Sequence, residues 1–281
     1  MNVGINVLLW TAAATEEHFG LLGDIRRWGY DSVEFPMFTP DCSPWLGLAG
    51  RLDDLGLGRT AVTVMPEHAN PIAADAKVRR AGVDHLKACV DGCAVLGAGV
   101  LCGPMYSPCG ALVGRGPTDQ EREWAMAALR QAGEYAASAG VVLAVEPLNR
   151  FETYFLNGVE DASRLVDEIG LPSVGLLFDT FHANIEEKDP VGAIRAAGSR
   201  IRHFHVSEND RSTPGAGHVP WAATFAALKA SGYDASLTVE AFGRALPEVA
   251  AATSIWRRMF DDEAGLAAKA CRFIREGWAA A

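Results

Sequence analysis

Three acidic residues and two histidines sit where apolar runs break off. Glu146 closes "VVLAVE", Asp179 closes "VGLLFD", His203 and His205 alternate through "IRHFHV", and Glu240 closes "SLTVE". Glu146, Asp179, His205 and Glu240 follow one another at roughly thirty-residue intervals, about one strand–helix unit each. A single acid at a strand end ordinarily caps the next helix or pairs with a basic neighbour, and "DTFHAN" alone fits a capped turn. Four such groups in register call for more. Three carboxylates drawn into a buried site repel one another and lose hydration, which raises their pKa values or unfolds the site. A divalent cation removes that penalty. Three oxygen ligands and one imidazole suit Mn2+, Co2+ or Mg2+ and leave positions for water or substrate. Phe204 separates the two histidines, so both face one side of their strand; one is the ligand candidate, and position favours His205, nearer the C-terminal end.

These residues need elements that bring them together. Eight apolar runs read as strands: 3–10, 32–37, 59–65, 99–104, 141–147, 174–179, 201–206 and 236–242. They are rich in Val, Leu, Ile and Phe with little alternation, as strands buried on both faces are. Amphipathic helical patterns lie between them, among them 16–29, 77–97 and 119–140, several ending in Gly before the next strand. A last helical run, 248–277, could close the ring. Eight such alternations predict one α/β domain over 1–281, a (β/α)8 TIM barrel. A doubly wound open sheet is the rival, but it carries a Gly-rich phosphate loop after its first strand, and "LLWTAAATEE" has none. In a parallel barrel the strand C-termini build the active site, which is where the four groups fall.

Composition narrows the partners. The 281 residues carry a net charge of −10, spread along the chain, which argues against nucleic acid. No apolar run approaches the ~20 residues of a membrane span. The start "MNVGINVLLW" has no basic segment of the kind that opens a signal peptide. The six cysteines show no zinc-like spacing and are expected to be reduced thiols in a cytoplasmic protein.

Taken together, "VEPLNRFE", "FDTFHANIEE", "HFHVSENDR", "PGAGHVPW" and "VEAF" resemble the ketose 3-epimerases, the D-tagatose, D-allulose (D-psicose) and L-ribulose 3-epimerase group of the xylose-isomerase-like barrels. The close match covers 141–242; the first half matches more loosely, through "VGIN…W", "VEF" and "VRRAG". The resemblance implies that Glu146, Asp179, His205 and Glu240 hold one divalent metal, Mn2+ or Co2+ before Mg2+. It implies that Glu146 and Glu240 are the acid/base pair. Glu152, His182 and Arg211 would hold the O1–O2–O3 edge of the sugar, and Phe242 would wall it. Trp10, at the end of the first strand, is expected to line the same pocket. A homodimer or homotetramer is implied as well.

The chemistry agrees with these roles. Epimerising a ketose at C3 removes the proton alpha to the C2 carbonyl and returns one to the other face through a cis-enediolate. Two carboxylates on opposite faces would trade roles with the direction of reaction. His182 and Arg211 could donate to O2 and O1, where charge develops. The loops that should meet C4 to C6, "TAAAT", "MPEHANPI" and "GPMYSPCGALVGRGP", depart from the family's look and leave the preferred ketose open; Tyr106 could stand in for an aromatic there. Glu34 and His68 sit near strand ends as further pocket candidates, and Glu208, Asn149 and Asn184 read as supporting residues. The competing readings are another sugar isomerase on the same barrel (aldose–ketose, hydroxypyruvate or keto-inositol), an enzyme eliminating from oxidised glycosides, and a non-catalytic sugar-binding barrel.

Overall fold

The computed structural model describes residues 1–39 and 41–281. Among them, eight parallel strands pair in chain order and close: β1 (Asn2–Asn6), β2 (Ser32–Pro36), β3 (Gly58–Val62), β4 (Val100–Gly103), β5 (Val142–Val145), β6 (Val174–Asp179), β7 (Ile201–Val206) and β8 (Ser236–Val239). Around them lie α1 (Phe19–Arg27), α2 (Trp45–Leu55), α3 (Ala76–Leu96), α4 (Asp119–Ser138), α5 (Val159–Ile169), α6 (Thr180–Glu186), α7 (Pro190–Ala197), α8 (Trp221–Ala230), α9 (Pro247–Ala252) and α10 (Glu263–Ala280). The chain is thus a single-domain α/β TIM barrel. Among the described residues no helix is long and apolar enough to cross a membrane.

The helices dock through apolar stripes. On α5, Val159, Ala162, Leu165, Val166 and Ile169 are buried at helical spacing, and each large aliphatic side chain so removed from water contributes about 1.5–3 kcal/mol. Local chemistry sets the ends. Thr118 and Glu121 form a reciprocal capping box that starts α4. The run 248–277 is not one helix: Ser254, at φ 58°, ends α9 in a left-handed conformation, and Asp262 starts α10 by accepting the Gly265 N–H.

The strands are shorter than the apolar runs that contain them. β1 stops because the Asn6 side chain accepts the Leu8 N–H at 2.9 Å and bends Val7–Leu9 into a 3-10 turn. β5 and β8 stop at Val145 and Val239, so Glu146 and Glu240 stand one residue beyond the sheet. Between β6 and β7 the register shifts at Leu176/Leu177, and this shift sets Asp179 opposite His205.

β4 ends at Gly103, whose φ of 121° suits glycine. A Cβ there would collide with the Thr63 carbonyl oxygen. The Gly103 carbonyl accepts the N–H groups of Glu146 (3.1 Å) and Met105 (3.0 Å), which ties this strand end to the placement of Glu146. Gly103→Ala is expected to cost about 2–3 kcal/mol of stability, read as a lower midpoint of urea unfolding. An unchanged midpoint would mean that the strand end yields freely.

Candidate active site and metal centre

The C-terminal ends of β5 to β8 bring Glu146, Asp179, His205 and Glu240 together, all buried. Ligand atoms of Glu146, Asp179 and His205 lie within 4.8 Å of one another. His205 Nδ1 is 3.3 Å from Glu240 Oε1 and 3.5 Å from Asp179 Oδ2. Asp179 Oδ2 and His205 Nδ1 are both buried without a hydrogen-bond partner. A buried polar atom left so costs about 1–3 kcal/mol. A divalent cation would satisfy both at once, and a set of carboxylates with one imidazole fits such an ion.

Electrostatics point the same way. Burial, reinforced by the charges of Glu240 and Asp179, pushes the Glu146 pKa well above the usual carboxylate range. Burial opposes charge on His205, but Glu34 and Glu240 outweigh it and raise its pKa.

Asp179 divides its work between its two oxygens. Oδ1 caps α6, accepting the Phe181 N–H at 2.6 Å and the His182 N–H at 3.2 Å. Oδ2 is left for the centre. The cap also places His182, one turn into the helix, beside Glu146: His182 Nε2 lies 3.6 Å from Glu146 Oε1.

His182 has a defined tautomer. Its Nδ1 accepts the backbone N–H of Asn149 at 2.9 Å, a group that can only donate, so the proton sits on Nε2. Burial, partly offset by Asp179, drives its pKa down to about 3 and keeps the ring neutral. Arg211 Nη2 lies 3.1 Å from that Nε2. Two donors therefore converge with no acceptor between them, a geometry that an oxygen of a bound molecule would complete. Arg211 Nη1 donates to Glu152 Oε1 at 3.1 Å, and Asn149 Nδ2 donates to the same oxygen at 2.9 Å. The guanidinium lies 4.0 Å from the Phe181 ring centroid and 5.2 Å from that of Phe242. Burial opposes its charge, but Glu152, Glu240, Asp179 and Glu146 hold its pKa above the usual value.

These groups open onto one cavity of about 240 Å³. Glu146, Glu152, His182, Arg211 and Glu240 form its polar side. The rest of its lining includes Leu8, Phe38, Val62, Val64, Pro104, Leu148 and Phe242, with Val249, Ala252 and Thr253 supplied from α9 and just after it. Trp10 is not among the lining residues, which corrects the expectation for it. The turn that ends β1 at Asn6 carries the indole away to stack on Trp28, with centroids 5.9 Å apart, and leaves Leu8 facing the cavity. Tyr106 is also elsewhere, buried against Phe155; Cys109 and Pro104 represent its loop at the cavity. His68 is exposed.

Sequence reasoning under-read two carboxylates. Glu34, fully buried inside the barrel, accepts Nε2–H groups from His203 (2.7 Å) and His205 (2.8 Å) directly beneath the centre. Its signal was a lone charge in the doubly buried run "SVEFP". Glu208 is fully buried too; it accepts from the Gly215 and Val219 N–H groups and from Trp221 Nε1, and so anchors the loop that carries Arg211.

A family model described as the xylose isomerase-like TIM barrel matches residues 22–276. The chain is 34% identical to an L-ribulose 3-epimerase of Mesorhizobium japonicum over 98% of this chain and 93% of the relative. Among solved structures, an L-ribulose 3-epimerase superimposes with a TM-score of 0.94 at 33% identity, covering 99% of this chain and 94% of that one. A D-allulose 3-epimerase from Methylomonas sp., in complex with D-allulose, superimposes with a TM-score of 0.91 at 28% identity, covering 98% and 96%.

Proposed function

This chain belongs to the ketose 3-epimerase family of the xylose isomerase-like TIM barrels, and on that premise we propose that it interconverts C3 epimers of free ketoses of the D-tagatose, D-fructose or L-ribulose type. The observation that carries this is the meeting of two acids, Glu146 and Glu240, at one cavity beside the orphaned atoms Asp179 Oδ2 and His205 Nδ1. We assign Glu146, Asp179, His205 and Glu240 to a divalent ion, Mn2+ or Co2+ before Mg2+. When bound, such an ion supplies charge neutralisation and Lewis acidity toward the ketose carbonyl.

The protein's own groups do the proton chemistry. Glu146, from β5, and Glu240, from β8, approach from different sectors of the ring, so one takes the C3 proton and the other returns one to the opposite face. The His182 Nε2–H and the Arg211 guanidinium meet the oxygens on which charge develops, inside a walled cavity where such donors act strongly. Phe242 closes the apolar side. Among the described lining residues Arg211 is the one cation, and Glu152 already engages it, which favours an unphosphorylated sugar. Assembly as a homodimer or homotetramer would offer cover to the exposed Phe151 and Trp256.

The test is incubation of Mn2+- or Co2+-loaded protein with D-fructose, D-tagatose and L-ribulose in heavy water. The expected product is the C3 epimer carrying deuterium at C3. An aldose product, or no exchange at C3 with any of the three, would overturn the assignment.

A further inference from the structure

We propose that Glu34 is the positioning residue for His205: it accepts the Nε2–H and thereby turns the Nδ1 lone pair toward Asp179 and Glu240. This role rests on the metal-dependent reading above. An ionised carboxylate can only accept, and five donors surround this one. Oε1 receives Asn6 Nδ2 at 3.1 Å and His205 Nε2 at 2.8 Å. Oε2 receives Thr60 Oγ1 at 2.9 Å, His203 Nε2 at 2.7 Å and the Cys102 thiol at 3.4 Å. With its proton committed downward on Nε2, His205 has Nδ1 free for an ion, and Nδ1 is the ring atom that lacks a partner. Asn6 and Thr60, from β1 and β3, keep the carboxylate from rotating off the imidazoles. A carboxylate behind a ligating histidine fixes ring orientation and strengthens the ligand.

The same atoms allow a rival reading. Glu34, Cys102, His203 and His205 offer four donor atoms within 4.8 Å, a set that could hold a thiophilic ion of its own. The distances decide against it. Two ligands at about 2.0–2.1 Å from one tetrahedral ion stand roughly 3.3 Å apart. The contacts from the two imidazoles to Glu34 are 2.7 and 2.8 Å, hydrogen-bond distances with no room between them.

Metal affinity tests this without turnover. Apparent Kd for Mn2+ alone is measured by chelator competition on wild type, Glu34→Gln and Cys102→Ala, with far-UV circular dichroism to confirm folding. An amide cannot accept from both imidazoles through its two ends, so folded Glu34→Gln is expected to bind Mn2+ about 10- to 100-fold more weakly. Wild type and Cys102→Ala are expected to hold one ion per chain. A Glu34→Gln affinity within twofold of wild type, or a second ion lost with Cys102, overturns the proposal. Should Glu34→Gln fail to fold, nitrogen NMR of labelled histidine in cadmium-loaded wild type decides: metal coupling at Nδ1 of His205 supports the role, and coupling at Nε2 sinks it. Weakened Mn2+ binding in a protein that epimerises no ketose would remove the functional reading and leave this one standing.

Discussion

Glu146→Gln and Glu240→Gln are each expected to lower kcat/KM for C3 epimerisation by about a thousand- to ten-thousand-fold, the upper range for loss of a general acid or base. Inversion at carbon needs a proton acceptor on one face and a donor on the other. The two glutamates are the carboxylates that both line the cavity and border the orphaned ligand atoms. Asp179 is in the cluster too, but its Oδ1 is committed to the cap of α6, its Oδ2 is the oxygen assigned to the ion, and it does not line the cavity. The measurement is made at saturating Mn2+ with the bound metal counted, because a glutamine is also a poorer ligand. A sharper readout separates proton transfer from metal loss. In heavy water each variant should still exchange the C3 hydrogen of the epimer that faces its remaining glutamate, while making almost none of the other epimer. Near wild-type turnover by either metal-loaded variant would end the two-acid scheme.

The barrel was legible because parallel strands buried on both faces leave continuous apolar runs, and because a strand–helix unit has a characteristic length. Strand ends were less so. Asn6 stops β1 four residues before its apolar run ends, by a hydrogen bond from its side chain to the backbone, and that stop moves Trp10 from the cavity to Trp28. The ambiguity over Asp179 dissolves differently. The cap and the ligand are both correct descriptions, one for each oxygen, and residue type alone cannot show that division. Arg150 offers a similar lesson. It stands two residues from Glu152 in the sequence, yet it pairs with Glu186 across to α6, which leaves Glu152 for Arg211. Glu187, at the end of α6, turns back to accept the Val159 N–H at the start of α5. The far wall of the cavity was the least legible part. Phe38 follows β2, Val62 ends β3, Pro104 follows β4 and Val249 lies on α9, and no spacing within one segment encodes their meeting. Glu34 was visible as an anomaly, but whether it pointed inward depended on strand register around the whole ring.

Arg211→Ala is expected to lower kcat by about 100- to 1,000-fold, the cost of removing a donor aimed at developing oxyanion charge. Mn2+ affinity should hold or tighten, because the substitution removes a cation from beside Glu146 and Glu240. This split distinguishes Arg211 from a structural arginine, whose loss would disturb the centre as a whole. Lysine should not rescue it: a point charge cannot donate to Glu152 and face His182 Nε2 while also lying over the Phe181 and Phe242 rings. The backbone supplies a second control. Arg211 sits at φ 59°, held there because its N–H donates to the Glu208 carbonyl and its own carbonyl accepts the Phe242 N–H, both at 2.9 Å. A left-handed conformation outside glycine costs of order 1 kcal/mol, and here it aims the side chain into the cavity. Arg211→Gly should therefore be at least as stable as Arg211→Ala and equally slow, which separates the strain of the loop from the work of the guanidinium. A rise in KM with kcat unchanged in both variants would instead make Arg211 a binder of substrate and transition state alike, and the oxyanion role would fall.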